Sequence, residues 1–120
     1  MNFSEAISSG FQNYVNFSGR AQRSAFWYWA LFVFLGSFVA GILDAMIFGI
    51  DAYAPISGLF GLVVLLPGLA VSVRRLHDIG RSGWWLLIWL VPLIGWIILI
   101  YWYCQPGEPG FNQFGRNPLE

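Results

Sequence analysis

The sequence predicts an all-α membrane protein with three transmembrane helices, a short N-terminal interfacial amphipathic helix and an irregular C-terminal tail. Charge-free runs carry most of that prediction. Residues 25–43, 52–73 and 84–104 form runs of 19, 22 and 21 residues without a charged side chain. A helix rises about 1.5 Å per residue, so roughly 20 residues cross the ~30 Å hydrocarbon core of a bilayer. Composition agrees: the chain is 58% hydrophobic and 10% charged, with mean hydropathy +0.63. Soluble chains carry about 25% charged residues. The three runs leave almost no material for a soluble domain, so residues 1–120 read as one membrane domain.

Each element has its own signal. Phe3, Ile7, Phe11 and Tyr14 recur at helical spacing, and Asn2 with Glu5 makes a capping-box-like start. Residues 2–16 are therefore expected as an amphipathic helix at the interface. Its polar face has no basic residue, which argues against strong anionic-lipid binding by that segment alone. Gly10 weakens the helix by about 1 kcal/mol relative to alanine. The first 24 residues do not read as a secretory signal, because the arginines sit late and no small-residue cleavage site follows. Spans are expected at 25–48, 54–73 and 84–104, with an Arg-rich loop at 74–83 and a tail at 105–120.

Pro67 and Pro92 are expected to kink the second and third spans. Breaking the third run at Val91 and Pro92 would leave two pieces too short to cross, which favours three crossings over four. Ser37 with Gly41, Ser57 with Gly61, and Gly68 with Ser72 are small-residue pairs that would let helices approach closely. Three helices bury little surface, so a homo-oligomer or a larger membrane-protein partner fits the pattern, along with membrane lipids.

Arginine placement sets an expected orientation. Arg20 and Arg23 precede the first run, and Arg74, Arg75 and Arg81 separate the second from the third. The first connection carries only Asp51, and Arg116 alone follows the third run. Five arginines against one place the N-terminus and the central loop in the cytoplasm, and the C-terminal tail outside. Trp27, Tyr28, Trp29, Trp84 and Trp85 would then mark the inner interface, and Tyr101, Trp102 and Tyr103 the outer one.

Chemistry is concentrated between residues 74 and 83. On a continued helix, Arg74, His77, Asp78 and Arg81 share one face. Asp78 is then expected to pair with Arg74 one turn back, and with Arg81 or another arginine brought alongside. Gly80 or Gly83 would end the helix. Such a cluster is either a topology anchor with one ion pair or a fixed guanidinium site for an anionic headgroup. The embedded acid and histidine favour a shaped site, joined by Arg20 and Arg23, with Arg23 expected over the Trp27 ring. All six basic residues are arginine, which follows either from genome base composition or from a need for planar, bidentate contacts.

The residues Phe17-Ser18-Gly19-Arg20 with Arg23 and Phe26-Trp27 are followed by Arg74-Arg75-Leu76-His77-Asp78-Ile79-Gly80-Arg81-Ser82-Gly83-Trp84-Trp85. The tail adds Gly110-Phe111-Asn112-Gln113-Phe114-Gly115-Arg116-Asn117-Pro118. Together they resemble the bacterial family filed as domain of unknown function 805, over nearly the whole chain. The resemblance implies a small multi-span protein of the bacterial inner membrane and implies no activity.

The tail has a turn-forming composition, yet Phe111 and Phe114 suggest that it packs back on the protein. Asn112, Phe114, Gly115 and Pro118 are its candidate motif. Asp44, at the end of the first run, would be costly in lipid unless hydrated or paired. One cysteine and one histidine give no metal-ligand set, and zero net charge does not favour nucleic acid. No phosphate loop, dinucleotide fingerprint or nucleophile motif is present, so neither a cofactor nor catalysis is expected. The leading expectation is a non-catalytic accessory or scaffolding protein with a cytoplasmic-face cluster of Arg74, Arg75, His77, Asp78 and Arg81. The second is an anion- or lipid-binding or transport module using Arg20, Arg23, Arg74 and Arg81. A lipid-headgroup enzyme stands behind both.

Overall fold

The structure is a computed structural model, and it describes residues 1–119. Four α-helices and one 3-10 segment follow one another: α1 (Phe3–Gln12), α2 (Arg23–Phe48), α3 (Pro55–Asp78), the 3-10 helix Gly83–Leu90, and α4 (Ile94–Cys104). Helices α2 and α3 are long and apolar enough to cross a membrane. Their outward faces expose Phe34, Phe38, Met46, Leu59 and Leu62. Contiguous apolar surface of that extent suits lipid rather than water.

Helix α1 begins as its sequence predicts. The Asn2 side chain accepts from the Glu5 amide at 2.8 Å, and the Glu5 carboxylate accepts from the Asn2 amide at 3.0 Å. The helix ends at Gln12, four residues short of the expected boundary. It packs on the α2–α3 pair instead of lying apart from them. The Trp29 ring closes so tightly on Gly10 that a Cβ there would meet it, which accounts for a glycine in mid-helix. Phe11 meets Trp29 and Phe32 edge-on, with ring centroids 5.1 and 5.9 Å apart.

Two backbone hydrogen-bond gaps in α3, a carbonyl without a donor and a pair of amides without an acceptor, are filled by distant residues. Pro67 has no N–H to give to the Val63 carbonyl four residues earlier. The Tyr14 hydroxyl donates to that carbonyl at 2.7 Å. At the far end, α3 starts at Pro55 without a side-chain cap of its own. Asp44 of α2 supplies one: the amides of Ile56 and Ser57 both donate to its carboxylate at 2.9 Å. Asp44 is thus a helix cap, satisfied by two orphan amides. Of the expected small-residue pairs only Gly68 with Ser72 meets a neighbouring helix, Gly68 lying against Trp29 of α2. Gly41 and Gly61 face open space, whereas Gly36 is the close contact, against Phe60.

The third span departs from expectation. Residues 84–104 do not form one helix; the chain breaks at residues 91–93 and doubles back. Leu93 has φ 65° and ψ −66°, and the Ile94 amide donates to the Pro92 carbonyl at 2.8 Å, the geometry of a γ-turn. Each limb is about 16 Å long, from eight residues at ~2.0 Å and eleven at ~1.5 Å. The limbs lie side by side, with Trp85 on Trp102, Trp89 on Trp96, and the Trp96 indole donating to the Trp89 carbonyl. Pro92 therefore makes a turn, where a kink was expected.

Doubling back corrects the placement of the tail as well. Residues 103–105 return to the end of the bundle that holds Arg23, Trp27 and Arg75, so tail and arginines share one end. The core follows this arrangement. Ala21, Ala25, Trp29, Val64 and Val71 pack between α2 and α3, and Leu76, Leu99 and Tyr103 between α3 and the hairpin. Phe26 touches both clusters.

Candidate functional site

The C-terminal end of α3 is where the chemistry gathers. A helix leaves its last carbonyls without intrahelical donors. Here other segments supply them: the Ala21 amide donates to the Arg74 carbonyl, Asn112 Nδ2 to that of His77, and the Glu108 amide to that of Asp78, at 2.8–3.0 Å. The Arg81 amide reaches back to the Leu76 carbonyl past Gly80, which has φ 80°. Helix α3 thus ends at Asp78, as the glycine predicts.

Asp78 is the centre of the site. Its side chain is 3% exposed and lies between two arginines whose side chains are fully buried. Arg20 Nε donates to Oδ1 at 2.9 Å, and Arg75 Nη1 donates to Oδ2 at 2.5 Å. The expected pairing with Arg74 and Arg81 does not form. Spacings of three and four residues both meet on a helix, and here Arg75 at i−3 takes the place open to Arg74 at i−4.

Both arginines go on to bind backbone carbonyls. Arg20 Nη1 donates to Gly110 at 2.6 Å and to Gly115 at 3.4 Å; Nη2 donates to Glu108 and Asp78. Arg75 donates to the carbonyls of Ala21, Tyr103 and Gln105. Trp27 Nε1 also donates to Tyr103, and Arg23 Nη1 to Cys104, each at 3.2 Å. These are the orphan carbonyls at the end of α4, whose own last turn has no basic residue. Two guanidinium groups at that negative helix end are favourable, and they explain why the hairpin returns here. Arg23 does not lie over Trp27, because it is engaged with Cys104.

The remaining candidates take separate places. The His77 ring stacks on Phe114, with centroids 4.0 Å apart and planes within 2°, and its Nδ1 is 2.9 Å from the Gly19 carbonyl. Arg81 stands over the Trp102 ring at 4.0 Å from the centroid, bracing the hairpin. In the tail, Asn112 and Gly115 exchange backbone hydrogen bonds at 3.0 and 3.1 Å. Phe114 is held by His77, and Pro118 reaches the rim of a cavity beside Arg74. Phe111 is exposed.

Arg74 stands apart. It is 6% exposed, and its Nε and Nη2 are buried without a hydrogen-bond partner among the described residues. It lines a cavity of about 340 Å³ with Ser9, Asn13, Asn16 and Ser18. Sequence reasoning missed these four residues, and it missed Gly107 and Glu108. Gly107 lies against the Asp78 carboxylate, where a Cβ would collide. The Pro-Gly-Glu-Pro-Gly run at 106–110 was the available signal, since only a tight turn needs such a composition.

Comparison with known proteins agrees with the membrane reading. A family model described as "Protein of unknown function (DUF805)" matches residues 14–116. Inner membrane protein YhaH of Escherichia coli K12 is 45% identical over 109 residues, covering 89% of this chain and 90% of that protein. Inner membrane protein YhaI of the same strain is 40% identical over 108 residues, 89% of each. Uncharacterized protein YiiR, also of that strain, is 38% identical over 95 residues, covering 77% of this chain and 60% of that protein. No solved structure matches. The chain belongs to the DUF805 family.

Proposed function

We propose that this chain is a non-catalytic accessory or scaffolding protein of the bacterial inner membrane, with its working surface at the arginine-bearing end. One observation carries the reading: Arg20 and Arg75 are saturated by Asp78 and by tail and hairpin carbonyls. Guanidinium groups spent in this way fasten a platform together. His77 is likewise occupied by Phe114 and Gly19, in a packing role.

The same arrangement supports a two-span topology in which residues 83–104 form a re-entrant hairpin. All six arginines then lie at one end, and the opposite connection carries only Asp51. The positive-inside rule puts that arginine end, with N-terminus and tail, in the cytoplasm.

A photo-crosslinking residue at the exposed Phe111, in cell membranes, tests the role. A discrete adduct with another membrane protein, lost when Asp78→Asn releases the tail, is the expected result. Adducts with lipid alone, unchanged by Asp78→Asn, would count against a scaffold.

A further inference from the structure

We infer that Arg74 and the cavity beside it form a binding site for a phosphate-type oxyanion, carried by a lipid headgroup or free in solution. The inference is independent of the scaffolding role.

A buried cation needs a partner, because desolvating a guanidinium without one is costly. The nearest acid on its own helix is Asp78, which is consumed by Arg20 and Arg75. Arg74 is left 6% exposed, with Nε and Nη2 unpaired. Those two nitrogens are closed off from solvent-sized space, so Nη1 is the nitrogen left to meet an oxygen in the cavity that Arg74 lines. The chain has therefore buried a guanidinium charge that a phosphate oxygen at Nη1 would answer.

The cavity has matching chemistry. Ser9, Ser18, Asn13 and Asn16 line it, and among the described residues no acidic one does. Asn13 Nδ2 is engaged with Ser9, and Asn16 Nδ2 with Asn13, so the serine hydroxyls and the second amide hydrogen of Asn16 are the donors left for the outer oxygens of a tetrahedral anion. The surroundings add field: among the described residues all six arginines share this end with the acids Asp78 and Glu108, six positive side chains against two negative. The α1–α2 connection (residues 13–22) and the tail at Pro118 both border the cavity, so an occupant would sit between α1, α3 and the tail. The site differs from the expected four-arginine cluster, because Arg20, Arg23 and Arg81 each have other partners.

The test uses the purified full chain in two arms. In the first, the protein is held in phosphatidylcholine nanodiscs containing some phosphatidylglycerol, and retained lipid is read by native mass spectrometry. In the second, inorganic phosphate is titrated into protein in phosphatidylcholine-only nanodiscs by calorimetry. Binding in either arm that weakens about tenfold in Arg74→Gln and persists in Arg116→Gln is the expected result. Retention of phosphatidylglycerol without phosphate binding assigns a lipid headgroup, and phosphate binding assigns a free anion. Absence of binding in both arms, or equal binding by Arg74→Gln, overturns the site. Should Arg74→Gln fail to fold, Ser9→Leu fills the cavity without touching the arginine. Loss of binding then supports the site, and unchanged binding refutes it.

Discussion

Tyr14 lends its hydroxyl to the Val63 carbonyl that Pro67 leaves without an amide donor, 2.7 Å away. The turn that follows α1 thus repairs a defect within the long helix pair, and the two features are energetically linked. Tyr14→Phe should cost about 1 kcal/mol, the usual worth of a hydrogen bond whose acceptor is then stranded. In a Pro67→Ala background the restored amide serves Val63, and Tyr14→Phe should become nearly silent. Thermal unfolding of the four proteins in detergent measures the coupling; additive losses would sink the linkage.

Asp78 shields two buried guanidinium groups from each other. Asp78→Asn should destabilise the protein by about 3–5 kcal/mol, as loss of one partner does for buried ion pairs. Arg20→Lys should also be damaging, since one ammonium cannot reach Asp78 and the Gly110 and Glu108 carbonyls together. Protease sensitivity of residues 105–119 should rise in both variants. A tail that stays protected would show that the clasp is not what holds it.

Gly107 permits the tail to pass directly over that carboxylate. A methyl group there collides with Asp78, so Gly107→Ala should release the tail while leaving α2 and α3 inserted. Exchange of tail amides with deuterated solvent is the readout. Protection equal to that of the parent protein would contradict the close approach.

The proposed re-entrant placement of the hairpin makes a compartment prediction. With Cys104→Ser and a new cysteine at Gln113, an impermeant maleimide should label only after the inner membrane is opened. Labelling in intact spheroplasts would restore a third crossing and place the tail outside.

Much of the scaffold was readable in the residues. The Asn2 and Glu5 capping box, the two long apolar runs, the helix stop at Gly80 and the anchoring of Phe114 follow from local patterns that the structure keeps. The hairpin was not readable, because 21 apolar residues look alike whether they cross once or turn halfway. What decides is remote: Arg23 meets Cys104 across 81 positions, and Arg75 meets Gln105 across 30. The cluster was found by composition and mispaired by geometry, since helical spacing alone ranks Arg74 and Arg75 equally as partners for Asp78. Only the competition between them shows which arginine is left over.

The short connection between α2 and α3, residues 49–54, acquires a meaning for biogenesis. In a two-span protein it is the only polar stretch that must be carried across the bilayer, and it holds a single charge, Asp51. On the proposed two-span topology every arginine would stay on the side where the ribosome made it. Insertion would then need one helical hairpin to slip into the membrane, carrying residues 49–54 across, after which the tail closes over its other end.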